Sequence, residues 1–478
     1  MNQGLVVISP ILLVRLLTVE EFGRYREFLL YAGLLSTVCA FGINNSLLYF
    51  IPSRPHSVRQ MVRQALAMTL GTSTLVIGIA LLADFFANGA ILGGVALPVA
   101  IYVLLFVNLD FWEFYWLALK RPLPVFAYTT GRLVARIFVV VVAASIWRDV
   151  MPIIWSLIGL EAVRILGSFI AWQSSARDLE RTEPPEIIPT GGGKACWREQ
   201  FYYCLPIGLA LILVTLNKSL GNLFVTKTLG VVALAHYAIG THIQPVIGVL
   251  RNSVSDAVLP ELAALKTAKA GDGALALWRR STVVSMILLT AAGVILFEFA
   301  HTFVVTLFSP SYEPAVLIFQ IYLLVLVREV FDFGVALRAA NRTAPIVTSS
   351  LFAILLNLLL LITVLPVWGL PAAALAFVIS RWTEGLVLSR STMNAYEIGL
   401  KDLARWSDLG KVALAALLAS AVFYGSFWLD QFGLLGVPLG ALVFMMLFVA
   451  LLLALRIPEA TAMLGRLRKT TKLSPAKP

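Results

Sequence analysis

Charge is what this sequence has least of. Only 13% of its 478 residues are Asp, Glu, Lys or Arg, while 59% are hydrophobic; a soluble domain holds about 25% charged and about 45–50% apolar residues. An ordinary soluble enzyme or binding module is thereby excluded. Cysteine is scarce as well, with 3 in the chain. Cys39, Cys196 and Cys204 stand in or beside apolar segments without metal-ligand spacing, so neither a disulfide framework nor a zinc site is indicated, and they read as small packing residues. Acidic residues number 26 against 37 basic ones, a net charge of +11. The basic residues are spread between apolar runs and not gathered into one stripe, which argues against nucleic acid and for membrane orientation. No Asp-x-Asp, His-x-x-Glu-His or Ser/His/Asp arrangement is evident, and the longest outer loop covers only about residues 300–313. A membrane glycosyltransferase, polymerase or ligase therefore lacks its acid, base or external domain, and no enzyme activity is expected.

What the chain has in abundance is long apolar runs. A bilayer core needs about 20 apolar residues per helix, and on that rule about fourteen spans are expected: 1–17, 27–50, 63–83, 96–118, 127–147, 151–173, 201–225, 232–258, 279–300, 314–337, 344–365, 371–392, 410–429 and 434–455. The fold class is an all-α polytopic membrane protein. Only Met1, Asn2 and Gln3 precede the first run, which contains Pro10; a helical turn or two is expected to be missing ahead of it. No cleavable signal peptide is visible.

Loop charge sets the orientation. One set of loops carries Arg54, Arg59 and Arg63, Lys120 and Arg121, Lys266 and Lys269, Arg338 and Arg342, and the tail from Arg456 to Lys477; the other carries Arg24, Arg26, Arg148 and Lys227. Both termini should face the cytoplasm. Residues 174–199, with Glu183-Pro184-Pro185 and Gly191-Gly192-Gly193, read as a cytoplasmic linker. The glycine triplet lacks the strand and spacing of a phosphate loop.

An internal repeat organises the runs. Leu17, Thr18, Val19 and Tyr25 line up at one offset with Leu229, Gly230, Val231 and Tyr237, and Asn45-Ser46 with Pro52 echoes Asn252-Ser253 with Pro260. The expected division is an N-terminal lobe over 1–173 (helices 1–6), the linker 174–199, a C-terminal lobe over 200–395 (helices 7–12), an added helix pair over 409–456 and a basic tail over 457–478. Six spans per repeat give parallel repeats, a transporter signature associated with alternating access.

Charges inside spans usually face protein or a wet cavity. By depth, those nearest the midplane are Arg136, Glu161, Arg164, His242, Arg328, Arg381 and Glu384. Glu161 and Arg164 map onto Arg381 and Glu384 with the signs exchanged, each pair at i, i+3 on one helical face. They serve either a substrate or a lock between helices. Asp110, Glu161, Asp332 and Glu384 are candidates for binding a coupling H+ or Na+, because burial disfavours a charged carboxylate; the alternative for Arg328 and Asp332 is an i, i+4 pair. The aromatic run Phe111-Trp112, Phe114-Tyr115-Trp116 suits either an interfacial belt or stacking on sugars.

Arg15-Leu16-Leu17, Glu21-Phe22-Gly23-Arg24-Tyr25, Gly42-Ile43, Leu205-Pro206, Thr228-Leu229-Gly230, Tyr237-Ala238, Pro260-Glu261 and Ser311-Tyr312-Glu313-Pro314-Ala315 together resemble the polysaccharide or O-antigen flippase branch of the multidrug/oligosaccharidyl-lipid/polysaccharide exporter superfamily. The resemblance implies a V-shaped pair of six-helix lobes about a central cavity in the bacterial inner membrane. It implies inner-to-outer-leaflet transfer of an undecaprenyl-diphosphate-linked oligosaccharide for O-antigen or exopolysaccharide assembly, with no cofactor. Polysaccharide polymerase or assembly proteins are further expected partners. Lipid II flippases and multidrug/cation antiporters of the superfamily are the alternatives. Where many relatives carry an Asp this chain has Gly221, followed by Asn222, and Lys218 lies one turn earlier. For a diphosphate headgroup, Arg136, Arg164, Lys218 and Arg381 are the cationic contact candidates. Asn44 and Asn222 are candidates for sugar hydroxyls, or else for helix joining.

Overall fold

The computed structural model describes residues 2–53, 58–182, 193–267, 271–340, 342–424 and 436–462. Those residues are helical throughout apart from turns and short connections, with no strand among them. The chain forms two compact units, Met1–Ala235 and His236–Pro478.

The first unit opens with α1 (Asn2–Leu16) and α2 (Val19–Ala40), bent by 43° into α3 (Ile43–Ser53). Thr18 starts α2 as its N-cap, its hydroxyl accepting from the Glu21 amide at 3.2 Å, with Glu20 and Glu21 in the first turn; these are the residues a helix start favours. The equivalent residue of the second repeat, Gly230, has φ 85°, where threonine is strained and glycine is not. Phe41 and Gly42, both at positive φ, make the bend between α2 and α3. Next come α4 (Val58–Phe86), α5 (Ala96–Val107), α6 (Trp112–Ala118), α7 (Pro122–Trp147), α8 (Val150–Thr182) and the first part of α9 (Gly193–Gly240). Close backbone approach fixes α2 within this unit. A Cβ on Gly23 would lie 2.1 Å from the Val231 carbonyl oxygen, and one on Gly208 2.5 Å from that of Phe41.

The second unit contains α10 (Gln244–Thr267), α11 (Gly271–Glu298), α12 (Ala300–Leu307), α13 (Ala315–Leu323), α14 (Val325–Glu329) and α15 (Phe333–Ala339). It continues with α16 (Ala344–Thr363), α17 (Leu365–Trp368), α18 (Leu370–Tyr396), α19 (Leu400–Leu403), α20 (Trp406–Tyr424) and α21 (Gly436–Ala454). The last two helices pack on α11 through Ala415, Ala416 and Ala419 against Phe444, Phe448 and Val283. Small residues at such seams let helix backbones approach closely.

Among the described residues ten helices are long and apolar enough to cross a membrane, or eleven counting the bent α2–α3 pair as one, where sequence led us to expect about fourteen. Three local causes account for the difference. α1 is only 15 residues long. The run 232–258 is interrupted: α9 continues past Gly230 to Gly240, and the rest becomes the more polar α10. The run 314–337 breaks into α13, α14 and α15. The expected linker 174–199 is helical at both flanks, and its centre, 183–192, lies outside the described residues, as do 425–435 and 463–478 of the expected helix pair and tail.

Three of the five residues of the aromatic run prove to be interior. Phe111 is fully buried, and Trp112 and Tyr115 nearly so, in a cluster with Trp172, Phe50 and Cys204. Phe111 and Trp112 stack at 4.8 Å, and Trp172 meets Phe111 edge-on at 5.3 Å. Phe111, Trp112 and Tyr115 therefore serve packing against α3, α8 and α9, while Phe114 and Trp116 are half-buried at the edge of the cluster. Cys39 and Cys204 are free and buried, and no group of His, Cys, Asp or Glu among the described residues could hold a metal.

Candidate functional site

In each unit a charged network lies against a break in an apolar helical run. Broken backbone is tolerated in a bilayer only where its freed polar groups find partners in protein or a wet cavity. In the first unit, α5 stops at Val107, Asn108 turns extended, Leu109 takes φ 56°, and α6 restarts at Trp112. Arg164 of α8 closes that gap. Its guanidinium donates to the carbonyls of Leu105 (2.6 Å), Phe106 (3.1 Å), Asn108 (3.1 Å) and Leu109 (3.3 Å), and its Nε to Glu161 at 2.5 Å. Asn44 Nδ2 donates to the Asp110 carbonyl at 3.0 Å.

Arg132 of α7 completes the group, 2.7 Å from Asp110 and 3.3 Å from Glu161. Two arginines thus face two carboxylates, and the network is balanced. Arg132 also lies over the Phe106 ring at 4.6 Å. The sequence candidates Asn44, Asp110, Glu161 and Arg164 come together here.

In the second unit the break lies between α14 and α15. Asp332 caps α15, its Oδ1 accepting from the Val335 amide at 3.1 Å while Oδ2 accepts from Ser255. Arg381 of α18 bridges Glu384 to Glu329, the latter at 2.5 Å, and Arg251 reaches Glu329 at 2.7 Å. Ser350 donates to Glu384 at 2.9 Å, and Trp382 Nε1 donates to the Leu324 carbonyl at 3.3 Å, at the α13–α14 joint. The i, i+4 pairing of Arg328 with Asp332 is overturned, because the helix does not run through 330–332; Arg328 instead lies 3.4 Å from Glu329.

The exchanged signs on α8 and α18 now have a physical account. The first break presents backbone carbonyls and takes an arginine at 164; the second presents the acid Glu329, with 4% side-chain exposure, and takes one at 381. Glu329 and Arg251 were missed as members of this group. Glu329 is adjacent to Arg328, and neighbouring helical residues do not share a face; only knowledge of the break reveals its direction.

The remaining candidates are placed differently. Arg136 of α7 faces the phenols of Tyr25 and Tyr102, and among the described residues no carboxylate is in ion-pair contact with it. Lys218 of α9 is exposed and forms no ion pair or hydrogen bond among the described residues. Asn222 lies on α9 in the wall of a cavity of about 350 Å³, shared with Arg26 of α2. Arg26 was expected in an outer loop; it stands instead within α2, because that helix starts at Val19. Nearby, Lys227 donates to the carbonyls of Ala90 and Ile91, both at 2.7 Å, and Asp84 accepts from the Ile91 and Leu92 amides.

These features define a polytopic helical membrane protein with broken spans and arginine-rich interior networks. Residues 1–266 match the polysaccharide biosynthesis protein family, and the chain belongs to that family. No curated protein sequence matches it. Among solved structures, the lipid II flippase MurJ in an inward closed conformation is similar over 94% of this chain and 96% of its own, with a TM-score of 0.67 and 14% identity. An inward-facing multidrug resistance MATE family transporter of the MOP superfamily is similar over 83% of this chain and 95% of its own, at a TM-score of 0.57 and 12% identity. The chain shares its fold with these two transporters.

Proposed function

We propose that the protein is a flippase for an undecaprenyl-diphosphate-linked oligosaccharide, moving it from the inner to the outer leaflet of a bacterial inner membrane by alternating access, with both termini cytoplasmic. The observation that carries this reading is the presence of cations with no carboxylate in ion-pair contact among the described residues, Arg136 and Lys218, in a polysaccharide biosynthesis family protein. A lone cation on a membrane helix is expensive unless it meets water or a counter-charge. A diphosphate supplies that counter-charge through charge-assisted hydrogen bonds. Arg164 and Arg381, held in their networks, are the further cationic candidates for the diphosphate, each within its own unit, and Asn44 and Asn222 serve the glycan. Coupling to H+ or Na+ draws on Asp110, Glu161, Asp332 and Glu384. The alternatives are lipid II as substrate and, against the positive charge, an organic cation in antiport; polysaccharide polymerase or assembly proteins are proposed partners.

The test is a leaflet assay in proteoliposomes with undecaprenyl-diphosphate-linked glycan, comparing wild type with Arg136→Ala and Lys218→Ala. Wild type is expected to translocate the lipid and the two variants to lose at least tenfold in rate while eluting as folded protein. Lipid II as the better substrate would redirect the assignment, and proton-linked exchange of organic cations without lipid movement would refute it.

A further inference from the structure

The cavity within the first unit is built from two facing helical stripes. On α2, Arg26 and Thr37 flank leucines at three- and four-residue spacing; on α9, Thr215, Ser219 and Asn222 repeat the same spacing. Its volume of about 350 Å³ is at the lower end of small-ligand sites, roughly 300–1,000 Å³, which suits a single sugar ring with its substituent and not a whole oligosaccharide.

Two polar groups in this wall lack partners. Arg26 forms no ion pair or hydrogen bond among the described residues. The Asn222 side-chain oxygen is buried and accepts nothing. A guanidinium without an acid calls for an anion. A buried carbonyl oxygen without a donor calls for a hydroxyl or amide hydrogen. A simple anion satisfies only the first and a neutral sugar only the second. The leucines between them offer an apolar surface for the C–H face of a ring.

We propose that this cavity is a subsite for an anionic sugar, a glycosyl phosphate or a uronate, in which Arg26 holds the anion and Asn222 Oδ1 accepts from a ring hydroxyl. Arg26 and Asn222 then determine which glycan is accepted. This rests on the flippase reading for its physiological ligand, but the binding itself is separable from transport.

The experiment is ligand-dependent thermal stabilisation of the purified full-length protein with glucose 1-phosphate, glucuronate, glucose and inorganic phosphate. At least one anionic sugar is expected to half-saturate at a concentration tenfold or more below both glucose and inorganic phosphate. The better of the two identifies the anion as phosphate or carboxylate. Arg26→Gln should raise that concentration at least tenfold, Arg26→Lys should restore most of it, and Asn222→Ala should leave the anionic sugar binding no better than the simple anion. Equal binding of inorganic phosphate and glucose 1-phosphate together with no response to glucuronate, or indifference to Arg26→Gln, would overturn the proposal. Should Arg26→Gln not fold, Asn222→Ala decides, and unchanged preference in that variant overturns it. Translocation in the leaflet assay without anionic-sugar binding removes the subsite and leaves the flippase; binding without translocation does the reverse.

Discussion

Replacement of Arg164 by alanine is expected to unfold the first unit before it tells anything about transport. The side chain is nearly buried, at 9% exposure, and makes an ion pair to Glu161 at 2.5 Å besides its contacts with four carbonyls between 2.6 and 3.3 Å. Truncation leaves the Glu161 carboxylate with only the longer 3.3 Å contact to Arg132. Breaking a buried pair from one side costs about 3–5 kcal/mol, and each buried carbonyl left unpaired adds about 1–3 kcal/mol unless water reaches it. Even the ion-pair part alone corresponds to a fall in melting temperature on the order of 10 °C. The assay is thermal unfolding of the detergent-solubilised protein, with the monodisperse fraction on size exclusion as a second readout. Arg164→Ala/Glu161→Ala should be less damaging than Arg164→Ala alone, since the orphaned charge has gone, yet still below wild type because the α5 carbonyls stay open. An Arg164→Ala protein that melts as wild type does while losing translocation would refute the reasoning and return Arg164 to direct substrate contact.

Two further outcomes are expected. Gly23→Ala should sharply reduce folded yield, since its Cβ would fall 2.1 Å from the Val231 carbonyl oxygen and backbone cannot yield as a flexible side chain does; Gly71→Ala, which meets nothing within 4 Å, is the neutral control. Lys227→Met removes both donations to the 90–91 carbonyls, so amide exchange at Leu92 and Gly93 should speed up about tenfold, and unchanged exchange would show that Asp84 alone holds the loop.

The class of fold was legible because hydrophobic length is a bulk property: runs such as 63–83 and 344–365 reappear as α4 and α16. The breaks were not legible. Nothing in Leu105–Phe111 departs from an apolar span except Asn108 and Asp110, and the left-handed turn at Leu109 is stabilised by an arginine over fifty residues away. For the same reason Glu161 and Arg164 were visible as an i, i+3 pair on one face, whereas the four carbonyls that Arg164 takes were not. Arg26 was misplaced by a start error: Thr18 is an N-cap, and a cap followed by Glu20 and Glu21 was the available signal that the helix begins before residue 27.

Arg164 binds main-chain oxygens, and every residue type supplies one. The identities of Leu105, Phe106, Asn108 and Leu109 are consequently unconstrained by this bond set; Phe106 still answers to Arg132 over its ring, and Asn108 to Ser73, to which its side chain donates. As far as this bond set is concerned, a substitution at any of them leaves the oxygen that the arginine reads in place, while the arginine itself stays indispensable. The break can therefore drift in sequence until no motif marks it, with the fold unchanged.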